Sequence, residues 1–534
     1  MFASRKTAAV SYFFFALAAF LPGPASGEDP AAAEDARRPP DALAVADPIH
    51  DDLEALAARG MVDLPNLFAR PLLRYDVGLA LARALAAHPS LQDDLAFQRV
   101  RSAFAAELDA LGFDREPAGA HQGLLSLRDD ENWLRAEAFW NVQAEAAPDR
   151  GFVLTDSTRF GLRFSWIIWP GFHLFEELYV ADIKNGRLFG DPVSPGTDVI
   201  IFQDRVYGAM HTRYADFVLG RDRLAWGPGV TGTLLLSETA RPFTQLRFSR
   251  TFFDGLFHAV IVNGVLNQAE QRYVAYHRLD WRPHARFRLG LAEGSRYNSS
   301  GLQPLYLIGI IPYPVVTRLL LRDNDNRETD PSVRDNVMWS LDGTWRAHPR
   351  LSLYGELLID DLGIQDDDHP TRIGYQAGAY AVGDLLEGEL RARCEWTRVW
   401  NYVYSTFYHH DFEHEGVALG YPLGPDSRHV QLRADWARHR DWSLIGTAAR
   451  IDRGEGVLGD AWLPNDPAFA GAQAGEFEGV VERQWLLTAG CRYAPAFRLD
   501  ALVEIGPAWV KSANHIRGND RRGLTGRLSL AYRY

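Results

Sequence analysis

From Trp133 to its last residue the chain alternates apolar and polar residues with a period of two, and the polar positions carry full charges. Phe287, Leu289 and Leu291 alternate with Arg286, Arg288 and Gly290. Leu351, Leu353, Leu357 and Ile359 alternate with Ser352, Tyr354, Glu356 and Asp360. Val430, Leu432, Ala434 and Trp436 alternate with Gln431, Arg433 and Asp435, and Leu499, Ala501, Val503 and Ile505 with Asp500 and Glu504. Successive side chains of a strand point to opposite faces, so each segment has one greasy and one charged face. A dry sandwich core does not accept unpaired charge, whereas the polar lumen of a membrane barrel does. The closing segment, Gly523 to Tyr534, has the same form and ends on an aromatic residue. Taken alone it suits a half-buried edge of a soluble sheet equally well.

The spacing predicts strands at 132–147, 156–169, 172–184, 203–213, 216–225, 244–251, 255–266, 271–282 and 285–296. Nine more follow at 335–347, 350–361, 372–383, 386–401, 427–438, 441–453, 480–494, 497–511 and 521–534. That makes about eighteen, an even number as bacterial single-chain barrels require. Tight turns at Pro170-Gly171, Arg282–Ala285, Ala347–Arg350, Gly383–Leu386, Arg438–Asp441 and Ala494–Phe497 mostly alternate with long loops at 185–202, 226–243, 297–334, 362–371, 402–426 and 454–479. Such sorting is the periplasmic-turn, external-loop asymmetry of an outer-membrane barrel. The fold class is therefore an all-β transmembrane barrel of antiparallel strands over 130–534, with the last strand pairing the first near Trp133. Arg527 and Arg533 would face the lumen, and Tyr534 the periplasmic rim.

The N-terminal part differs. Arg5 and Lys6, the apolar run from Ala8 to Leu21 and Ala25-Ser26-Gly27 read as a secretory signal over 1–27. A disordered lead-in rich in Ala, Pro and charge follows over 28–46. Residues 47–115 carry helical periodicity: Ile49, Leu53 and Leu56 before Gly60; Val77, Leu81 and Leu85; then Phe97, Val100, Phe104, Leu108 and Leu111 before Gly112. This predicts a small periplasmic helical bundle. The string from Ile49 to Leu85 resembles a single S-layer-homology-type repeat. The formal charge of −13 argues against a nucleic-acid partner. Cys394 and Cys491 fall on apolar parities of separate strands and read as unpaired.

Beyond the leader no uninterrupted apolar run could cross a membrane as a helix; Leu302–Leu321 comes nearest but contains Pro304, Pro312 and Pro314. Because it is apolar within the longest loop, it is expected to fold inward and help close the barrel mouth. Asn401–Glu415, NYVYSTFYHHDFEHE, sets Tyr402, Tyr404, Phe407 and Tyr408 beside His409, His410 and His414. Aromatic rings offer flat faces to sugars, and nearby carboxylates and amides hydrogen-bond hydroxyls. His410 and His414 have a metal-ligand spacing, but the residue after the first is Asp where a metalloprotease has Glu, and the aromatics before it break a helical pattern. Asp360, Asp361, Asp366, Asp367 and Asp368, and Asp323, Asn324, Asp325 and Asn326, offer the oxygens that Ca²⁺ or Mg²⁺ would need but lack a calcium-loop pattern. No cofactor is expected, and paired acids such as Glu356 and Asp360 read as lumen charges balanced by arginine.

The most distinctive block is Leu219–Phe243, LGRDRLAWGPGVTGTLLLSETARPF. Arg221 and Arg223 share a parity that should aim both into the lumen, and Trp226-Gly227-Pro228-Gly229 turns the chain tightly. The block resembles the Wzi family of outer-membrane capsule-assembly proteins, with their GR-x-R-x-x-WGPG-like run followed by a Ser and an Arg-Pro. The resemblance continues through YVAYHRLDWRPHARFRLGLAEGSRYN, LQPLYLIGIIPYPVVTRLL, NVMWSLDGTWR and LYGELLIDD, so it covers most of Asn132–Tyr534. It implies an eighteen-stranded barrel with a periplasmic helical bundle and a non-enzymatic, lectin-like role in holding capsular polysaccharide at the surface of a Gram-negative cell. The helical part, with its S-layer-like flavour, is where the chain departs from the resemblance. Trp226, Arg241, Tyr402, Tyr404, Tyr408 and His410 are then the candidate polysaccharide contacts, with Arg221, Arg223, Gly227, Pro228 and Gly229 as a structural lumen motif. Outer-membrane lipids, and the barrel-assembly machinery acting on the C-terminal strand, are the other expected partners. The competing reading is a diffusion porin whose helical segment binds the cell wall.

Overall fold

The computed structural model describes residues 41–111, 113, 123–128, 132–148, 150–154, 158–169, 171–182, 199–320, 335–362, 370–460, 475–495 and 498–534. Eighteen antiparallel strands close into a barrel. In chain order they are β1 (Trp133–Ala147), β2 (Arg159–Trp169), β3 (Phe172–Asp182), β4 (Val199–His211), β5 (Asp216–Asp222) and β6 (Phe243–Phe252). Next come β7 (Phe257–Asn267), β8 (Arg272–His284), β9 (Phe287–Asn298), β10 (Asn336–His348), β11 (Leu351–Asp361) and β12 (Arg372–Leu385). The last six are β13 (Gly388–Val399), β14 (Ser427–His439), β15 (Trp442–Arg453), β16 (Glu482–Tyr493), β17 (Leu499–Lys511) and β18 (Arg521–Arg533). The seam is β18 against β1, with Arg527 opposite Glu145 and Tyr532 opposite Trp140. Tyr534 donates its N–H to the Ala138 carbonyl at 2.8 Å and accepts from Ala138 in return. Closure leaves no unpaired edge, which a hydrocarbon environment would penalise heavily.

The parity rule holds around the wall. Leu219, Leu291, Trp339, Leu432, Leu487 and Leu528 face outward and are exposed, forming the apolar belt of an outer-membrane barrel. Cys394 and Cys491 also face out, unpaired. Charged partners face inward and satisfy one another: Arg278 bridges Asp280 and Asp342 at 2.7 and 2.6 Å, and Arg205 meets Asp222 at 2.9 Å.

The short-turn end is filled by a helical bundle of α1 (Ile49–Arg59), α2 (Arg74–Ala87), α3 (Leu95–Ala103) and α4 (Ala105–Ala110). Leu53, Leu56, Val77, Leu81, Phe97, Val100, Phe104 and Leu108 form its core. The stripe expected to be one long helix breaks at Phe104, whose φ of −117° and ψ of 21° leave the helical region. Gly60 ends α1 with φ +74°, the left-handed conformation glycine tolerates. Packing against the bundle includes residues before 47: Leu43 donates to the Leu72 carbonyl, and Ala42, Leu43 and Val45 are buried. The leader and residues 28–40 lie outside the described residues.

Ion pairs moor the bundle to the wall. Asp52 lies between Arg99 of α3 and Arg391 of β13, at 2.7 and 2.6 Å. Glu54 meets Arg393 at 2.9 Å, Asp47 meets Arg533 at 3.3 Å, and Arg59 meets Glu389 at 3.3 Å. Deeper in the lumen, Ala69 and Arg70 form a two-residue antiparallel ladder with Trp226 and Ala225.

Leu302–Leu321 does not close the mouth. Its described part, through Leu320, packs on the outside of the barrel, with helices α5 (Pro304–Leu307) and α6 (Tyr313–Leu320) lying over outward-facing Tyr273, Ala275 and Tyr297. The wall explains why. Here the outward parity of β7–β9 carries Asn263, His277, Glu293 and Ser295, groups that lipid would leave unsatisfied. The strap covers them and pairs two directly: Asn263 donates to the Tyr306 carbonyl at 3.1 Å, and Glu293 accepts the Tyr313 N–H at 2.9 Å. Trp339 Nε1 also donates to Glu293, while His277 lies 3.0 Å from it. Tyr297 and Tyr306 stack with centroids 4.4 Å apart. Ile310, Val315 and Leu319 remain exposed and continue the belt. The run is apolar because it replaces barrel surface.

Two outcomes are expected. A nitroxide on Val315→Cys, with Cys394 and Cys491 replaced by Ala, should collide with oxygen and not with an aqueous nickel chelate; the reverse accessibility would contradict an outer strap. Asp52→Ala should cost the bundle about 3 kcal/mol, because two largely buried guanidiniums lose a shared counter-ion and keep only Glu389. It would be read as faster proteolysis of residues 41–111 in the intact barrel. Burial pushes the Asp52 carboxyl up, but Arg99 and Arg391 outweigh it and hold it below the ordinary 3.8. Its stabilisation is therefore whole above about pH 4 and is lost as pH falls below that, as the unfolded carboxyl protonates first. The gap between wild type and variant should narrow on acidification.

Candidate functional site

Two external loops, 223–242 and 400–426, descend into the lumen and pack on each other. Leu234, Leu235, Leu236, Tyr404, Phe412 and Tyr421 are almost wholly buried there, together with Tyr276 from the wall. The Tyr404 hydroxyl donates to the Leu234 carbonyl at 2.6 Å and accepts the Tyr421 N–H at 3.0 Å. Phe412 bridges the Tyr276 and Tyr404 rings, with centroids 5.9 and 6.4 Å away. The descending loop 223–242 then meets the bundle, where Gly227 donates to the Phe68 carbonyl at 2.9 Å.

A loop buried this way must satisfy its backbone N–H groups, and wall carboxylates do so. Glu395 accepts from Val230 and Thr231 N–H, both at 2.9 Å, from the Thr231 hydroxyl, from Gln376 at 3.1 Å and from the Tyr354 hydroxyl at 2.8 Å. Glu356 accepts from Leu234 and Leu235 N–H at 3.0 and 3.3 Å and from Ser340. Asp360 accepts the Tyr404 N–H at 2.8 Å and lies 3.4 Å from Arg372. Asp426 accepts from Gly456 and Glu478 N–H. Glu356 is thus balanced by backbone donors, not by the arginine neighbours the sequence suggested. The WGPG turn is fitted to this wall: Gly227 has φ +127°, and a Cβ there would stand 2.7 Å from Glu356 Oε2. At Gly229 a Cβ would overlap the Gln376 side chain.

The candidate polysaccharide contacts divide by depth. Trp226 and Tyr404 are buried at 2% and 0% exposure, Trp226 against Tyr276 and the bundle ladder, so both act in packing. Arg241 and His410 are buried nearly as deeply. His410 lies 2.9 Å from the Asn298 amide, and its carbonyl accepts from Asn336. Tyr402 and Tyr408 are half-buried and remain accessible at the rim. Tyr408 donates to the Asp335 carbonyl at 3.2 Å and stands edge-on to Phe407 and His410.

Arg221 and Arg223 both end against lumen-facing groups, although strict strand parity does not carry them there. Val218 and Asp222 face the lumen and Leu219 faces out, yet the Arg221 guanidinium lies 5.3 Å from the ring of Phe202, which packs on lumen-facing Tyr179. The backbone at Gly220, φ +146°, twists the strand end. Arg223 lies beyond the strand and reaches Asp204 at 2.9 Å and the Ala240 carbonyl at 3.0 Å.

At the rim, burial and then Arg221 hold the His414 imidazole down at about 4, so it is neutral at neutral pH. Burial raises Asp411 and Glu413. Among the described residues no group of three or more His, Cys, Asp or Glu is arranged to hold a metal ion. Asp323–Asn326 and Asp366–Asp368 lie outside the described residues. The anchor Glu395 escaped sequence reasoning: it shares a charged parity with Arg391 and Arg393, and no spacing tells which distant loop will reach it.

The sequence profile of the family described as capsule assembly protein Wzi matches residues 197–521, more than half of the chain. No curated protein matches in sequence. Among solved structures, the Escherichia coli protein described as Wzi, an outer membrane protein involved in group 1 capsule assembly and a carbohydrate binding beta-barrel, superposes with a TM-score of 0.60. The two are 15% identical over 92% of this chain and 99% of that one. The outer membrane protein opdK of Pseudomonas aeruginosa is far less similar, at a TM-score of 0.41 and 10% identity over 75% of this chain and 98% of its own. The profile match and the architecture agree: this outer-membrane barrel belongs to the Wzi capsule-assembly family.

Proposed function

We propose that the protein is a non-enzymatic outer-membrane lectin that binds exported capsular polysaccharide at its external rim and retains it on the cell. The observation that carries this reading is occlusion: the mouth loops and the bundle meet inside the lumen, Gly227 against Phe68. A barrel filled in this way is built to present a surface, and a diffusion porin is not. Tyr402 and Tyr408, half-buried at that surface, offer aromatic faces, and the same loop carries Asp411 and Glu413, the latter 3.4 Å from Arg272. The carboxylates that could have served hydrolysis, Glu356 and Asp360, are occupied by backbone N–H groups of the loops. The Escherichia coli barrel described as carbohydrate binding supports the same reading.

Two measurements test it. In planar bilayers the wild-type barrel should give no steady conductance, while Gly229→Val, which forces the WGPG turn off Gln376, should open frequent events. A steadily open wild-type pore would favour the porin. Tyr402→Ala with Tyr408→Ala should release capsule into the medium and weaken purified-polymer binding about tenfold, each ring contributing roughly 0.5–1.5 kcal/mol. Unchanged retention in a normally folded variant would refute the rim as the binding surface.

A further inference from the structure

At the opposite end of the barrel, between the bundle and the wall, lies a cavity of about 260 Å³. One side is the chain that leaves α1, from Gly60 to Phe68; the other is the β8–β9 and β10–β11 hairpins. Its chemistry is cationic. Arg282, Arg286, Arg288 and Arg346 line it, against Glu54 and Asp63. Glu54 is engaged by Arg393, and Asp63 by Arg282. Asp280 and Asp342, whose charge reaches Arg288 along with that of Glu54, are both committed to Arg278.

Arg288 forms the floor. It is 5% exposed and lies flat on the Phe68 ring at 4.1 Å, with one long hydrogen bond from Nη1 to the Pro65 carbonyl at 3.4 Å. Its Nε and Nη2 are buried with no partner, as is Nε of Arg282. A guanidinium presents its donors in a fixed fork that matches carboxylate and phosphate oxygens, and leaving such donors buried and empty is costly. Arg346 hangs over the rim, making only a 3.4 Å bond to the Ala57 carbonyl. It occupies the space that a side chain at Gly60 would take, so glycine there both ends the helix and leaves room for the guanidinium.

We propose that this cavity is a periplasm-facing oxyanion site, with Arg288 binding a carboxylate or phosphate group from below and Arg346 and Arg286 closing over it. The volume falls just under the ~300 Å³ at which drug-sized sites begin, so the occupant is a single acidic sugar residue or a phosphate group and not a length of polymer. The site is independent of the external rim.

Calorimetry on the full chain in detergent, with glucuronate, inorganic phosphate and neutral glucose as separate titrants, tests this. At least one anion should bind saturably and more weakly as salt rises, and glucose should not bind. The tighter of the two anions identifies the source of the charge. Arg288→Met, which keeps the stem and removes the fork, should weaken binding at least tenfold, and Arg346→Gln severalfold. Tyr402→Ala with Tyr408→Ala should leave this binding unchanged, so failure here and failure of the rim reading are separable. Should Arg288→Met not fold, Arg346→Gln and Arg286→Gln at the rim carry the test. Absence of binding by both anions, or wild-type affinity in the folded arginine variants, would overturn the proposal.

Discussion

The mouth of this barrel hangs on wall carboxylates that accept backbone N–H groups. A loop drawn from water into a protein interior brings donors that must be paired, and neither strands nor helices supply the pairing in an irregular turn. Glu356 and Asp360 of β11 and Glu395 of β13 supply it, and each reaches chain more than forty residues distant in sequence. A charged acceptor makes such bonds stronger than a neutral one would. The wall thus dictates the shape of the mouth, and the apolar cluster of Tyr276, Phe412, Tyr404 and Leu234 fills what the carboxylates have positioned.

Much of this was legible in the sequence, because the barrel is governed by a local rule. Period-two alternation placed all eighteen strands, and the ends of β11 and β15 fall within one residue of those expected at 350–361 and 441–453. Bundle positions such as Leu53, Val77 and Phe97 followed from helical spacing just as directly. What could not be read were long-range appointments. Nothing near Glu395 announces that Val230 and Thr231 will come to it. The parity rule itself stopped working where the strand stopped: β5 ends at Asp222, so Arg223 answers to Asp204 and not to a strand face.

The outer strap shows a different limit. Hydrophobicity alone says that a segment avoids water; it does not say whether a core or a membrane receives it. The deciding information was on other strands, in the polar outward positions Asn263, His277, Glu293 and Ser295 that required a cover. Tyr306 and Tyr313 meet that need with hydrogen-bonding backbone and broad rings, and Ile310, Val315 and Leu319 turn the other face to lipid.

The short ladder between Ala69 and Trp226 joins chain from the two sides of the membrane. Its strands belong to different mechanical units, one anchored by Asp52 and Glu54 below and one by Glu356 and Glu395 above. A displacement of either unit that parts the ladder strips hydrogen bonds from the other. Free-energy coupling of this kind is reciprocal: an event at the cell surface that favours one loop arrangement must favour, by the same amount, the bundle arrangement that goes with it. A barrel filled from both ends thereby has a physical link between one compartment and the other.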